Sequence, residues 1–277
     1  MKIITKDKIQ KRVLKDGKPL DLDLFLWDEN TRTFSSNENR LVLKFNDLDN
    51  CTFKTGNDCT FVTGSYCTFN TRAGCTFDTG YNCIFKTAAY CTFSSKTDCT
   101  FDTGIRCTFN TDSDCIFRTG LGCTFNTSDN CSFKTGSYCT FNTGHNCTFS
   151  TGSDCTFKTG SNCIFDVYSN CIFNTSSNCV TIRRDIFEVI LLKENIETRT
   201  CPNKVEGYTY KKDDKYLYSK DEENEYIIVD NILSKIISRK GNVLKVQNYN
   251  EDEESYIIQD GDLYSHSETI KEATDFY

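Results

Sequence analysis

The stretch Cys-Thr-Phe-Lys-Thr-Gly-Asn-Asp, residues 51–58, opens a run of eight-residue units that decides the fold. Its pattern is Cys-Thr-Phe-x-Thr-Gly-x-x, and cysteine recurs every eight residues from Cys51 to Cys179 without a slip. Seventeen of the 18 cysteines stand in this register, and sixteen units keep the phenylalanine, from Phe53 to Phe173. A fixed short period of this kind indicates a repeat protein whose units stack and bury a shared core.

Alternation within the unit predicts a short strand followed by a turn. Because successive side chains of a strand point to opposite faces, Cys and Phe share one face, while the first Thr and the variable fourth residue share the other. The apolar pair must face inward. The second Thr is expected at the inner edge of a corner, where the following Gly supplies a positive φ. The expected core ladder includes Cys59, Phe61, Cys75, Phe77, Cys91, Phe93, Cys107, Phe109, Cys123 and Phe125.

One unit is too short to enclose a phenylalanine-sized core, so each coil must hold two units or three, which is 16 or 24 residues. We favour two, because two strands that face each other across about 10 Å bring phenylalanine against phenylalanine. Isoleucine also replaces the outward Thr at Ile84, Ile116 and Ile164, all in odd-numbered units, with Ile172 as the exception. The predicted fold class is all-β, a parallel β-solenoid with two strands per coil.

The repeat divides the chain into three parts. Residues 1–42 are expected to cap the N-terminal end, residues 43–182 to form the solenoid, and residues 183–277 to form a small antiparallel β domain that ends in a helix. Caps are needed because the open ends of a parallel stack would pair with other chains. In the C-terminal part, residues 226–234 and 256–265 each suggest a hairpin, and Thr269 with Glu272 forms a capping box for the helix.

Three stretches of the chain carry a resemblance to known sequences. They are DNCTFKTG at residues 49–56, CVTIRRDIFEVI at residues 179–190 and YSHSETIKEA at residues 264–273. With these, nearly the whole chain resembles uncharacterised proteins of bacteria and their phages that contain a Cys-containing octapeptide repeat. The resemblance implies a β-solenoid with conventional ends and a possible phage origin, and it supplies no activity and no functional residue.

Charge and hydropathy argue against nucleic-acid and membrane partners. Residues 51–178 carry eight Lys and Arg against nine Asp and Glu, and residues 179–277 carry 14 against 21. The repeat region therefore has neither a basic nucleic-acid stripe nor the acidity of a nucleic-acid mimic. The start of the chain lacks a signal-peptide pattern, and no stretch approaches the length of about 18 apolar residues expected of a membrane span. These features predict a cytoplasmic or virion-associated protein.

Catalysis, cofactors and metals are not expected. The repeat has no CxxC spacing, and thiols in an apolar core stay protonated and behave as small hydrophobic groups. Disulfides are not expected in a reducing compartment, and Cys201, outside the register, is the cysteine expected to be exposed. His145 at a repeat turn and His266 near the C terminus have no nucleophile elbow or phosphate loop around them.

Two classes of function stay open. The first is a structural or interaction scaffold, a stiff rod that presents a face or its end domain to a protein or glycan partner, with a phage-encoded host-interaction protein as a variant of it. The second is binding of ice or ordered water through outward Thr, although the companion outward column includes Asp, Asn and Lys in place of a second Thr. The oligomeric state is not predicted. The candidate binding face is the row Thr60, Thr76, Thr92, Thr108, Thr124, Thr140 and Thr156.

Overall fold

The computed structural model describes residues 4–202, 205–249, 251, 254–260 and 263–267. It shows an all-β chain dominated by a parallel β-solenoid of about nine turns. Each repeat strand pairs with the strand that lies 16 residues further along the chain, as Phe53 with Phe69 and Phe61 with Phe77. The coil of two units and two strands is therefore confirmed, and the three-unit alternative is wrong.

The two strands of each coil belong to two parallel sheets, which we call sheet 1 and sheet 2. Every parallel pair within the repeat is in register. The strands of sheet 1 are Thr33–Ser35, Thr52–Lys54, Thr68–Asn70, Ile84–Lys86, Thr100–Asp102, Ile116–Arg118, Ser132–Lys134, Thr148–Ser150, Ile164–Val167 and Val180–Arg183. The strands of sheet 2 are Leu41–Phe45, Thr60–Thr63, Thr76–Asp78, Thr92–Ser95, Thr108–Thr111, Thr124–Asn126, Thr140–Asn142, Thr156–Thr159 and Ile172–Thr175.

The core is a double ladder of phenylalanine rings flanked by cysteines. Within one sheet the rings stack almost parallel, with centroids 4.8 Å apart for Phe93 and Phe109. Across the two sheets they meet edge to face, at 5.2 Å for Phe101 and Phe109. Both arrangements are favourable for aromatic pairs. All ten residues of the expected core ladder are at most 1 % exposed, so the inward placement of Cys and Phe is confirmed.

The corners differ from the prediction in the position of the left-handed residue. Positive φ occurs at the eighth residue of each unit, directly before Cys, as at Asp58 (φ 56°) and Asn82 (φ 55°). Asn and Asp tolerate this conformation because their short side chains bond locally. The glycine of the sixth position has another role: a Cβ on Gly104 would lie 2.9 Å from the backbone nitrogen of Ala89, one coil earlier. That glycine permits close approach between coils.

The N-terminal segment packs on the first coils. It consists of the helix Lys6–Gln10, the strands Val13–Lys15, Lys18–Pro19 and Leu26–Asp28, and the 3-10 turn Leu22–Leu24. Two of its strands pair antiparallel with the first strands of the two sheets. Thr33 pairs in parallel with Thr52, so the stack begins one strand before the predicted start at residue 43. The octapeptide register missed this strand because the spacing from Thr33 to Thr52 is 19 residues, three more than one coil.

Antiparallel strands close the other end of both sheets. Sheet 1 ends with Glu188–Leu191, which pairs with Val180–Arg183. Sheet 2 continues through Thr198–Thr200, which pairs with Ile172–Thr175, into a series of antiparallel strands. These strands are Tyr208–Lys212, Lys215–Tyr218, Asp221–Val229, Ile232–Lys240, Val243–Asn248, Glu254–Asp260 and Leu263–Ser267. The helix expected around Thr269 and Glu272 lies outside the described residues.

Two buried groups lie where the chain passes from the last coil into these strands. Cys201 is 0 % exposed and belongs to a cluster with Tyr218 and Leu233, so the expectation of an exposed thiol is wrong. The reason is that the antiparallel strands fold over the segment that carries it. Arg183 is also fully buried, forms an ion pair with Asp185 at 2.7 Å and donates to the carbonyl of Val205. A buried ion pair of this kind fixes the geometry of the junction, because an unpaired charge would be strongly destabilising there.

Candidate functional site

The predicted Thr row is a straight column on the outer face of sheet 2. Each Thr is paired with the next in parallel register, which places neighbours about 4.8 Å apart along the rod. Thr60 is half-buried and the other six are exposed. The column runs Thr60, Thr76, Thr92, Thr108, Thr124, Thr140 and Thr156 and continues with Ile172. It is a regular polar stripe that is open to solvent.

The companion outward column of sheet 2 has different chemistry. Asn126 donates to the side-chain oxygen of Asn110 at 3.2 Å, and Asn142 donates to that of Asn126 at 3.0 Å. Asp78 and Lys158 stand in the same column. Because the amides bond to one another along the rod, this column offers no second set of free hydroxyl groups beside the Thr row.

The core cysteines form two buried rows of thiols, one behind each sheet. A typical member, Cys115, lies with its Sγ 3.4 Å from the carbonyl oxygen of Ser113 and 3.5 Å from that of Lys96. The neighbouring Cys131 thiol, together with burial, raises the pKa of Cys147 to about 11, and burial raises the pKa of Cys201 to about 12. No group of three or more potential metal ligands occurs in the part of the chain that the structure describes. Within a row the bonds between thiols raise the pKa of some members, such as Cys115, and lower that of their neighbours, such as Cys131, while burial raises the pKa of both.

His145 has a structural place at a corner of the solenoid. Its backbone N–H donates to Oδ1 of Asp129 at 2.7 Å, and its Nδ1 accepts the backbone N–H of Ser161 at 2.9 Å. The two bonds link three successive coils. The imidazole is thus part of the hydrogen bonding that holds successive corners together.

A cavity lies at the C-terminal end of the Thr row, between sheet 2 and the antiparallel strands. Ile172, the last residue of the column, pairs with Arg199, which in turn pairs with Thr209. The strands that begin at residues 221 and 263 also contribute side chains to the cavity wall. The cavity has a volume of about 130 Å³, and its lining comprises Ile172, Glu197, Arg199, Thr209, Tyr216, Tyr226, Ile227, Ile228 and Tyr264.

The polar groups of this cavity are held in fixed positions. Arg199 donates from Nε and Nη2 to the side-chain oxygen of Asn170 at 2.9 and 2.6 Å, and from Nη1 to the carbonyl of Ile228 at 3.4 Å. The hydroxyl of Tyr216 donates to Oε1 of Glu197 at 2.7 Å. Burial, and after it the bond to Glu197, raises the pKa of Tyr216, so this hydroxyl stays protonated. The site combines one cation, one anion and phenol rings that are preoriented by the fold.

An apolar patch lies nearby on the outer face of sheet 1. Its members are Ile182 (37 % exposed), Phe187 (86 %), Val189 (63 %) and Leu191 (77 %), and Ile182 pairs directly with Val189. Contiguous exposed apolar side chains on a protein surface commonly mark an interaction site. The last coil and the strands after it thus carry two distinct surface features within one end of the molecule.

The Thr row follows from the repeat pattern of the sequence, whereas the cavity and the patch do not. The cavity is built from residues that are far apart in the chain, such as Ile172 and Tyr264, and no local motif joins them. A weak signal for the patch was present in the run Phe187 to Leu191, where apolar residues continue after the repeat has ended.

The fold and these sites define a repeat protein of the parallel β-solenoid class with a regular cysteine ladder. The chain matches no protein-family model, no curated protein and no solved structure. Within the described residues, no helix is long and apolar enough to cross a membrane.

Proposed function

We propose that the protein is a non-enzymatic interaction scaffold, a stiff rod that holds a binding end at a fixed distance from its N-terminal cap. The observation that carries this proposal is the uninterrupted stack from Thr33 to Arg183. Stacked rings recur from Phe53 onward at 4.7 to 5.2 Å, and no residue is inserted between units. An interior packed this regularly resists bending.

The C-terminal end is the part of the rod with surface features suited to a partner. It brings together the cavity at Arg199 and the apolar patch around Val189. The long faces of the rod present polar and charged residues interspersed with single exposed apolar side chains, such as Ile84 and Ile116. A spacer with a recognition end fits this distribution, and the partner is a protein or a glycan.

Affinity capture with the full chain tests this proposal. We expect the partner to be lost when Val189 and Leu191 are both replaced by lysine or when Tyr264 is replaced by alanine. It should be retained by the matched control Ile84→Lys with Ile116→Lys, because these isoleucines are exposed on the same sheet in the middle of the rod (45 % and 47 %). The captured partner is then purified and its affinity measured against each variant. If the mid-rod control loses partner binding to the same extent, or if the partner binds all three variants as well as the wild type, the end-binding scaffold is contradicted.

Binding of ice or ordered water is the second candidate, and the exposed, in-register Thr row favours it. The row supplies one hydroxyl column at a spacing of about 4.8 Å. Thr108→Tyr with Thr124→Tyr would interrupt that column while leaving the core intact, because both side chains are exposed. Inhibition of ice recrystallisation by the reduced protein, lost in this double variant, is the result this function requires. Because the companion column lacks matching hydroxyls, we expect no inhibition by either protein.

A further inference from the structure

We infer that the cavity at the end of the Thr row binds one neutral sugar ring of a glycan. This inference rests on the proposed scaffold function and names the ligand class of its binding end. The cavity volume is about 130 Å³, close to the roughly 150 Å³ of an engineered protein cavity that binds a benzene ring. That space suits a single six-membered ring, and it is smaller than the sites of drug-sized ligands.

The walls of the cavity have the mixture of apolar and polar groups that a sugar ring requires. Tyr216, Tyr226 and Tyr264 line it together with isoleucine side chains. Aromatic rings supply a flat apolar surface for the C–H groups of a pyranose. The hydroxyls of Tyr216 and Tyr226 are themselves bonded to Glu197 and Asp221, which fixes the two rings. Tyr264 is 42 % exposed, so it forms part of the mouth, where a bound ring can stack without displacing the core.

The hydrogen-bonding groups match alcohols, which both donate and accept. Three of the N–H groups of Arg199 are used by Asn170 and Ile228 within the described residues, which leaves about two of its five donors. Glu197 uses Oε1 for Tyr216 and keeps further acceptor sites for sugar hydroxyls. The charges of Arg199 and Glu197 offset each other, so a neutral ring fits better than an acidic sugar whose carboxylate would approach Glu197.

The position of the cavity suggests how the rest of a glycan would lie. It follows directly on the Thr row, through the pairs Thr156 with Ile172 and Ile172 with Arg199. Further sugar units can therefore run along the exposed face of sheet 2. Glu197 is the one carboxylate among the described residues that line the cavity, whereas glycoside hydrolysis commonly uses a pair of carboxylates. The site is suited to binding a glycan and not to cleaving it.

Saturation-transfer difference NMR with the full-length reduced protein tests the assignment. The probes are the neutral sugars glucose, galactose, mannose, rhamnose and N-acetylglucosamine, with glucuronic acid and N-acetylneuraminic acid as the acidic comparison. We expect at least one neutral sugar to bind with a Kd in the millimolar range and the acidic sugars to bind more weakly. Tyr264→Ala should weaken binding at least about tenfold, and Arg199→Lys, which keeps the charge but loses the planar donors, should do the same.

The control variant is Tyr90→Ala, which removes a tyrosine that is 56 % exposed on a mid-rod corner and should leave binding unchanged. The thermal unfolding midpoint of each variant shows whether it folds. Absence of binding by every neutral sugar, preference for an acidic sugar, or equal binding by wild type and a folded Tyr264→Ala variant overturns the assignment. If one of these results is obtained while partner capture still depends on the C-terminal end, the sugar assignment is rejected and the scaffold proposal stands. If a sugar binds but the partner is held by the mid-rod face, the end-binding scaffold is rejected instead.

Discussion

Raising the pH from 8 to about 10 is expected to unfold the solenoid, because ionisation of the buried thiols would place negative charge in an apolar core. All 18 cysteines are free and buried. A cysteine in an unfolded chain has a pKa near 8.5. In the folded protein the neighbouring thiol, followed by burial, raises the pKa of Cys83, Cys107 and Cys115. Adjacent thiols in a row titrate as a unit, and the first ionisation must place a thiolate in an apolar core.

The sign of the effect follows from the direction of these shifts. For the thiols whose pKa is raised, the folded pKa lies above the unfolded one, so the stabilisation from these neutral buried thiols is fully present below about pH 8. The bonds between neighbouring thiols lower the pKa of others in the same rows, such as Cys99 and Cys131. The stabilisation from the thiols with a raised pKa is lost as the pH rises through the unfolded pKa towards about 11, the value for Cys147. Each such thiol lowers the free energy of unfolding by up to about 1.4 kcal/mol per pH unit in this window. The loss summed over even half of the thiols would then exceed the roughly 5–15 kcal/mol of stability typical of a domain.

Far-ultraviolet circular dichroism and thiolate absorbance, recorded together under reducing conditions, measure this transition. The thiolate signal and the loss of β structure should appear together between about pH 9 and 10, and both should reverse on return to neutral pH. Cys201→Ala, which removes one thiol outside the rows, should shift the midpoint only slightly. Structure that persists to pH 10.5, or thiolate that forms without unfolding, would show that the rows ionise within the folded stack.

Replacing Phe109 with alanine is expected to lower the free energy of unfolding by about 3–5 kcal/mol. Phe109 is fully buried in the middle of the rod and stacks on Phe93 and Phe125, each with its centroid at 4.8 Å. It also meets Phe101 and Phe117 edge to face at 5.2 Å. Alanine removes these four contacts and leaves a cavity that parallel strands on both sides prevent from closing.

Urea unfolding at neutral pH, followed by circular dichroism, measures the effect. Thr108→Ala is the matched control, because it changes the adjacent outward residue of the same strand and should cost less than about 0.5 kcal/mol. A loss below about 1 kcal/mol in Phe109→Ala would mean that the ring ladder does not hold the coils together.

The coil could be predicted because inward and outward positions repeat with different chemistry. Isoleucine at the outward position in Ile84, Ile116 and Ile164 distinguished odd units from even ones, and these residues do share sheet 1. The corner conformation was assigned to the wrong residue because Gly is the usual carrier of positive φ. The eighth position holds Asn and Asp in most units but also Tyr66 and Arg106, which weakened the pattern.

The ends were harder to predict because irregular spacing and long-range pairing decide them. The first strand of sheet 1 contains Phe34, but the loop before the repeat breaks the period, so this residue looked like part of a cap. Arg199 and Tyr264 lie 65 residues apart and meet only after the antiparallel strands fold over the last coil. Pairing of this kind depends on tertiary packing that no local pattern encodes.

The distance between the two ends of the rod tests the central claim of a stiff spacer most directly. Noncanonical amino acids at the exposed positions Asn30 and Lys212 would accept spin labels without touching the cysteines, and pulsed electron paramagnetic resonance would give the distance distribution. A stiff rod should give one narrow peak in the full chain. Deletion of residues 99–114, one complete coil, should move that peak to a shorter distance by about 4.8 Å without broadening it. A broad distribution in the full chain, or a peak that the deletion leaves in place, would contradict a stiff rod built from 16-residue coils.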